Sequence, residues 1–455
     1  MREVYIKEIS TKLAPFDIFS LFKNEDEVVF LDSGKDFSGS GRYSFLGINS
    51  FITIKGDTEE YVLNGKASNG DALNKIKGIL EEYKIINNTH FPFVGGGMGY
   101  FSYDLGRDFE QIIEMAQEDI EVPKVYYNFY DNVIIFDNLN KTTYISALGI
   151  KKEANKSVNE IESVIKNGVV IEKPEVVERI DFSKFTSNFE KEEYINAVGK
   201  VKDYICSGDV YIMNLTQRFQ CDFKRTGYDI YHDLRTINPA QFGAYMKLNE
   251  FEILSCSPER FLKVREGVID TRPIKGTRPR GKNPKEDETN RIELMNSEKD
   301  KSELLMIVDL ERNDLSRVCK LNSVKVTELF EIEEYPTVFH LVANIRGELE
   351  EGKDIIDCIR VGFPGGSITG APKIRAMEII DEMEKVRRNI YTGSIGYLGF
   401  DGNCDINIVI RTIMLKDRTA YFGVGGGITW ESEEEFEYEE TLHKANALMR
   451  ALCNE

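Results

Sequence analysis

A mixed α/β (α+β) fold is what the sequence predicts, on three observations. The chain has 455 residues, enough for one large α/β domain or two to three smaller ones. Short β-rich runs bounded by Gly, Asn and Asp occupy residues 1–165. Helical periodicity with capping signals recurs through residues 185–455. These two stretches, 1–165 and 185–455, are the expected regions. Residues 166–190 mix Pro, charge and Ser and read as their connection.

In the first region, Glu27–Leu31 (EVVFL) and Tyr126–Phe136 (YYNFYDNVIIF) read as strands. The glycine-rich stretch Phe93–Asp104 (FVGGGMGYFSYD) lacks the strand, GxGxxG and helix order of a dinucleotide site. In the second region, Ser187 and Glu190 suggest a capping box for a helix. Tyr194, Val198, Val201 and Ile205 share its face, and Gly208 stops it. A helix beginning near Ser297 turns Leu304, Leu305 and Val308 inward. Another, from about Glu434 to Leu452, does the same with Phe436, Leu442, Ala445 and Met449.

Composition narrows the function. A formal net charge of −19 argues against a nucleic-acid partner, which needs a concentrated basic surface. A small anionic substrate remains compatible, because a few buried cations or a metal make one pocket positive. With four histidines, any metal is expected on carboxylates, which points to Mg²⁺. The seven cysteines show no zinc or CxxC spacing, so reduced thiols in a cytoplasmic protein are expected. The start, MREVYIKEIS, has no apolar leader pattern, and no run of about 18 apolar residues marks a membrane span.

Four constellations bear on chemistry, each open to a plainer reading. Glu437, Glu440 and Lys444 fall on one helical face, and Glu303 lies on another helix. Carboxylates converging from two helices hold a cation between them; otherwise the acidic run is a solvated helix start. Lys275 stands in a stiff TRPIKGTRPR segment (Thr271–Arg280) as a candidate nucleophile, its proton loosened by burial or by Arg272 and Arg278. It reads equally as a surface lysine in a basic turn. Phe363–Lys373 (FPGGSITGAPK) and Gly423–Ile428 (GVGGGI) leave backbone N–H groups for a carboxylate, or are tight turns. Glu259 in SCSPER (Ser255–Arg260) is a general acid or base if desolvated, or the partner of Arg260.

The same segments resemble the chorismate-utilising enzyme family. SPERF (Ser257–Phe261), PIKGTRPR (Pro273–Arg280), ELLMIVDLERNDLSRV (Glu303–Val318), VFHLVANIRG (Val338–Gly347) and FPGGSITGAPKIRAMEIID (Phe363–Asp381) follow its pattern in order. GSIGYLG (Gly393–Gly399), IRT (Ile410–Thr412) and EYEETLHKANAL at the C-terminal end continue it. A weaker likeness covers the N-terminal part, including MGYFSYDLGRDFE (Met98–Glu110), as an anthranilate-synthase-like region. The resemblance implies a large sandwich of two mainly antiparallel β-sheets with helices outside. It places chorismate binding in 185–455.

Within the family, anthranilate synthases typically carry PIAGT where this chain reads PIKGT, the form of the aminodeoxychorismate synthase branch. That branch aminates chorismate to 4-amino-4-deoxychorismate, the first step toward 4-aminobenzoate and folate. Anthranilate synthase component I is the alternative. The resemblance assigns Lys275 as nucleophile and Glu259 as general acid/base. It makes Glu303 and Glu440, with Glu437, the Mg²⁺ ligands. Arg411 and Lys444, with backbone near Ser367 and Gly426, hold substrate carboxylates, while Thr277, His340 and Tyr397 line the pocket. A glutamine amidotransferase partner is implied as the ammonia source. The family's tryptophan pocket corresponds to FLDSGKDFSGSGRYSFLG (Phe30–Gly47) and NPAQFGAYM (Asn238–Met246). There Leu-Asp-Ser and NPAQF depart from the Leu-Glu-Ser and NPSPY of feedback-sensitive anthranilate synthases.

Overall fold

A computed structural model describes residues 3–34, 39–110, 112–169, 181–335 and 338–454. The run Tyr126–Phe136, uniform in sequence, splits into the strands Val125–Tyr130 and Asn132–Asp137, which belong to different sheets. Every residue of both strands is buried, so no alternation marks the break. The break falls at Asp131, whose carboxylate accepts from the main-chain N–H groups of Ile150 and Lys151 at 3.2 and 2.8 Å. This crossing carries the chain from one layer of a sandwich to the other.

Each sheet has 12 strands among the described residues, paired antiparallel throughout. In each, strands of the N-terminal half form one contiguous block and strands of the C-terminal half the other. The blocks join along a single seam per sheet. Val29–Asp32 pairs with Phe242–Lys247 in the first, and Gly96–Phe101 pairs with Ser394–Gly399 in the second. The stretches 1–165 and 185–455 are therefore successive along the chain but continuous in space. Of the connection, residues 170–180 lie outside the described residues. The glycines of FVGGGMGY sit inside the second seam. A β-carbon at Gly99 would fall 2.6 Å from Cγ of Tyr127, so the motif serves close strand packing.

The layers face each other through aromatic contacts. Phe45 of the first sheet meets Tyr397 of the second with ring centroids 5.5 Å apart. A second core lies on the other face of the first sheet. Phe19, Ile161, Leu234 and Leu448 from four helices pack there. On the second sheet, helix Glu298–Ser316 buries Leu304 and Val308, each contributing roughly 1.5–3 kcal/mol.

The helices differ from expectation in detail. The first is Lys191–Cys206, and its capping box is Glu190 with Glu193; Ser187 instead starts the preceding turn through Phe189. Gly208 does end it, at φ 84°, with Gly208 N–H to Ile205 O and Asp209 N–H to Tyr204 O. The third helix is Glu434–Cys453. Leu305 and Phe436, expected inward, are exposed. Among the described residues no helix is long and apolar enough to cross a membrane.

Candidate active site

The segment GVGGGI is the end of a strand, Thr419–Ile428, paired with Ile212–Asp222, and not a tight turn. Successive strand residues point to opposite faces. On one face, a β-carbon at Gly426 would lie 3.2 Å from Oε2 of Glu437, 3.6 Å from Nζ of Lys444 and 3.8 Å from Oε2 of Glu440. On the other, a β-carbon at Gly427 would lie 3.4 Å from Nζ of Lys275. Two adjacent glycines thus bring the acidic helix and the lysine strand onto one stretch of backbone.

Helix Glu434–Cys453 supplies the acidic side. Glu437 is 3% exposed, and its Oε1 accepts from Oγ of Ser432 at 2.6 Å. Burial pushes its carboxyl up from the ordinary value. Burial acts the same way on Glu440, but the Lys444 ammonium at 2.8 Å, with Lys299 and Lys275 beyond it, prevails and holds that carboxyl down. Lys444 also donates to the carbonyl of Gly425 at 2.8 Å. Glu303 reaches the cluster from helix Glu298–Ser316. Burial raises its carboxyl, Lys275 and Lys299 oppose the shift, and Glu437 adds repulsion.

Lys275 lies on strand Ile274–Pro279, and its Nζ donates to the carbonyl of Ser367 at 3.1 Å, in the turn Gly366–Ile368. Its charge bears on Glu259, Glu303 and Glu440. The two arginines expected to loosen its proton are engaged elsewhere. Arg272 pairs with Glu328 and Glu333, and Arg278 with Glu293 and Asp300. Glu259 is 5% exposed. Arg260 does not neutralise it, being fixed to Asp405 at 2.8 Å. Burial raises the Glu259 carboxyl, against a hydrogen bond from Ser367 and the charge of Lys275.

Arg411 is held at φ 54° and donates to the carbonyl of Lys444 at 2.8 Å. Among the described residues no carboxylate is in ion-pair contact with it. Burial lowers its affinity for the proton, with Tyr391 and Glu440 opposing. A half-buried guanidinium with no carboxylate in ion-pair contact, set against the helix that carries Glu440 and Lys444, is a place for an organic carboxylate.

A family described as chorismate binding enzyme matches residues 27–450. The chain belongs to this family. It is a chorismate-utilising enzyme, and its relatives carry two names. Anthranilate synthase component 1 of Aquifex aeolicus is 38% identical, covering 96% of this chain and 92% of that protein. Aminodeoxychorismate synthase component 1 of Bacillus subtilis is also 38% identical, covering 93% and 91%. The Escherichia coli protein of that second name is 42% identical, covering 84% and 83%. Among solved structures, anthranilate synthase component I from Streptococcus pneumoniae superposes with a TM-score of 0.81 at 29% identity, covering 90% of this chain and 92% of that one.

Against this family background, the structure brings together Lys275, Glu259, Ser367, Glu303, Glu437, Glu440, Lys444, Gly426 and Arg411. Thr277, two residues further along the lysine strand, faces His340 of the neighbouring strand Val338–Glu348, with Oγ1 and Nδ1 2.9 Å apart. Thr277 is exposed and His340 half-buried, so the histidine is not a core residue. Tyr397 is displaced from expectation. It packs on Phe45 and Phe93 and lines a separate cavity of about 180 Å³ with Arg42, Tyr43 and Lys263. That cavity gathers described parts of Phe30–Gly47 and Asn238–Met246, the segments matching the family's tryptophan pocket; residues 35–38 lie outside the described residues.

Two residues at the site escaped sequence reasoning. Tyr391 is half-buried, with its ring over Gly423 and near Arg411. Lys299 bears on Glu303, Glu437 and Glu440. Lys299 had a legible signal, its i,i+4 spacing from Glu303; Tyr391 had none. The donor set fits Mg²⁺. It is all carboxylate oxygen, and Glu303 and Glu437 are buried with their carboxyls raised by that burial, which a cation would offset. Among the described residues no three such side chains close a shell on their own, so water and substrate oxygens would complete it.

Proposed function

We propose that this chain is the synthase subunit of an aminodeoxychorismate synthase, replacing the C4 hydroxyl of chorismate with an amino group in a transaminase-class reaction. Ammonia comes from a glutamine amidotransferase partner, the setting is the cytoplasm, and the product leads to 4-aminobenzoate and folate. The observation that carries the reading is Lys275, its amine opposite Gly427 and its charge bearing on Glu259, Glu303 and Glu440. Both names among the relatives are compatible with the overall identity, so the choice between them rests on Lys275, which the resemblance gives to the aminodeoxychorismate synthase branch.

Arg411 and Lys444, with the backbone beside Ser367 and Gly426, bind the carboxylates and orient the ring. Glu303 and Glu440, with Glu437 beside them, would hold Mg²⁺, which supplies electron withdrawal from the ring diene. Once its ammonium proton has passed to solvent, the Lys275 amine adds at C2, the double bonds shift, and the C4 hydroxyl departs as water with a proton from Glu259. Burial raises the Glu259 carboxyl, the direction a proton donor needs. Ammonia then adds at C4, the double bonds shift back, and the Lys275 amine leaves C2. One difficult displacement becomes two easier ones. Thr277 sits further along the lysine strand, exposed, against the half-buried His340 of the paired strand.

The test is the product. Purified chain with chorismate, Mg²⁺ and ammonium is expected to yield 4-amino-4-deoxychorismate, identified by mass. The second reading, anthranilate synthase component I, is favoured by the Aquifex aeolicus relative and the Streptococcus pneumoniae structure. Fluorescent anthranilate appearing without an added lyase would establish it instead.

A further inference from the structure

The strand and the turn that hold Lys275 are tied together by a carboxylate the proposed chemistry does not use. Glu311 lies on helix Glu298–Ser316, on the same helix as Glu303, and is 4% exposed. Its Oε2 accepts from Oγ1 of Thr271 at 3.1 Å, and its Oε1 accepts from the main-chain N–H of Gly366 at 3.3 Å. Thr271 is on strand Val268–Arg272, directly upstream of the Lys275 strand. Gly366 precedes Ser367, whose carbonyl accepts from Lys275 Nζ at 3.1 Å. The links close a ring running from Lys275 to Ser367, Gly366, Glu311 and Thr271, and back along the chain. A β-carbon at Gly366 would meet Cδ2 of Leu310 at 2.7 Å, so the turn is seated directly on this helix.

The residue type fits the task. Both incoming groups are donors, a hydroxyl and an amide N–H, and a carboxylate accepts both. A glutamine of the same shape would turn its NH₂ toward one of them. The charges that bear on it are Lys373 and Asp314, paired with each other at 2.6 Å. Burial, with Asp314 adding, pushes the Glu311 carboxyl up to about 7.

We propose that Glu311 is a positioning residue that fixes the Lys275 strand against the Ser367 turn and so aims the Lys275 amine. The inference rests on Lys275 being the nucleophile. A displacement of the amine by about 1 Å is enough to cost on the order of a hundredfold in rate.

The experiment compares Glu311→Gln and Thr271→Val, which break one link each, with Lys275→Ala, all as the full chain with chorismate, Mg²⁺ and ammonium. Both link variants are expected to lose about tenfold to a hundredfold in kcat, with the chorismate KM changed by no more than about twofold. Labelling of Lys275 by trinitrobenzenesulfonate, read by peptide mapping, is expected to change in rate in both. If Glu311→Gln does not fold, Thr271→Val carries the test. Wild-type kcat in the folded variants, a loss confined to KM, or a lower kcat with unaltered Lys275 labelling overturns the inference. An inactive Lys275→Ala beside fully active Glu311→Gln rejects this inference alone. An active Lys275→Ala rejects the reading beneath it.

Discussion

Nζ of Lys275 stands 3.4 Å from the point where Gly427 would carry a β-carbon. The same methyl would sit 3.1 Å from Cδ1 of Ile212. Gly427→Ala is therefore expected to crowd the amine while straining only the ends of two flexible side chains. Steady-state kinetics should show kcat down about tenfold or more, and a denaturant titration a stability change of about 1 kcal/mol or less.

Arg411 offers a prediction in which stability and activity part ways. A half-buried guanidinium without a carboxylate in ion-pair contact, its proton affinity lowered by desolvation, is held at a cost to the fold. Arg411→Met is expected to keep or raise the thermal midpoint. Chorismate kcat/KM should fall about tenfold to a hundredfold, the worth of a charge-assisted hydrogen bond to the substrate. Calorimetry and kinetics on one preparation check both.

The two acidic helices meet at Glu303 and Glu437, with Glu440 one turn further. Glu303→Gln and Glu440→Gln are each expected to weaken Mg²⁺ by about tenfold or more. Isothermal titration of Mg²⁺ into chorismate-loaded protein reads this without turnover. Unchanged Mg²⁺ affinity in both variants removes these residues from the site.

Glu311 makes the pH dependence of stability measurable. Its folded carboxyl is raised from 4.5 to about 7 by burial, with Asp314 adding. A group raised on folding stabilises while protonated. Its contribution is complete below the unfolded value and is lost as pH rises through the folded one. Wild-type protein is expected to lose about 3 kcal/mol more than Glu311→Gln between about pH 4.5 and pH 7. Urea midpoints at those two pH values check it.

Much of this site was legible before the fold. The i,i+3 and i,i+4 spacing of Glu437, Glu440 and Lys444 fixes them on one helical face whatever the tertiary structure, and the Ser297 cap places Glu303 on its own helix. Where these elements meet is a long-range fact, set by Gly426 and Gly427 in a strand that sequence patterning could as well read as a turn. Arg272 and Arg278 misled because a basic segment does not reveal which carboxylates will claim it; Glu328, Glu333, Glu293 and Asp300 come from other elements. Tyr397 misled because a strand residue's face depends on register, and here its ring turns toward Phe45 and Phe93 in a different cavity. The Tyr126–Phe136 run hid its sheet crossing because burial on both faces erases the period-two pattern.

The nucleophile can be caught directly by withholding ammonia. Incubated with chorismate and Mg²⁺ alone, then digested and mapped by mass spectrometry, the protein should carry chorismate less one water on the peptide containing Lys275. Lys275→Ala should carry nothing and make no aminated product when ammonium is restored. Wild-type amination by Lys275→Ala, or an adduct that maps to a different residue, contradicts the assignment of Lys275.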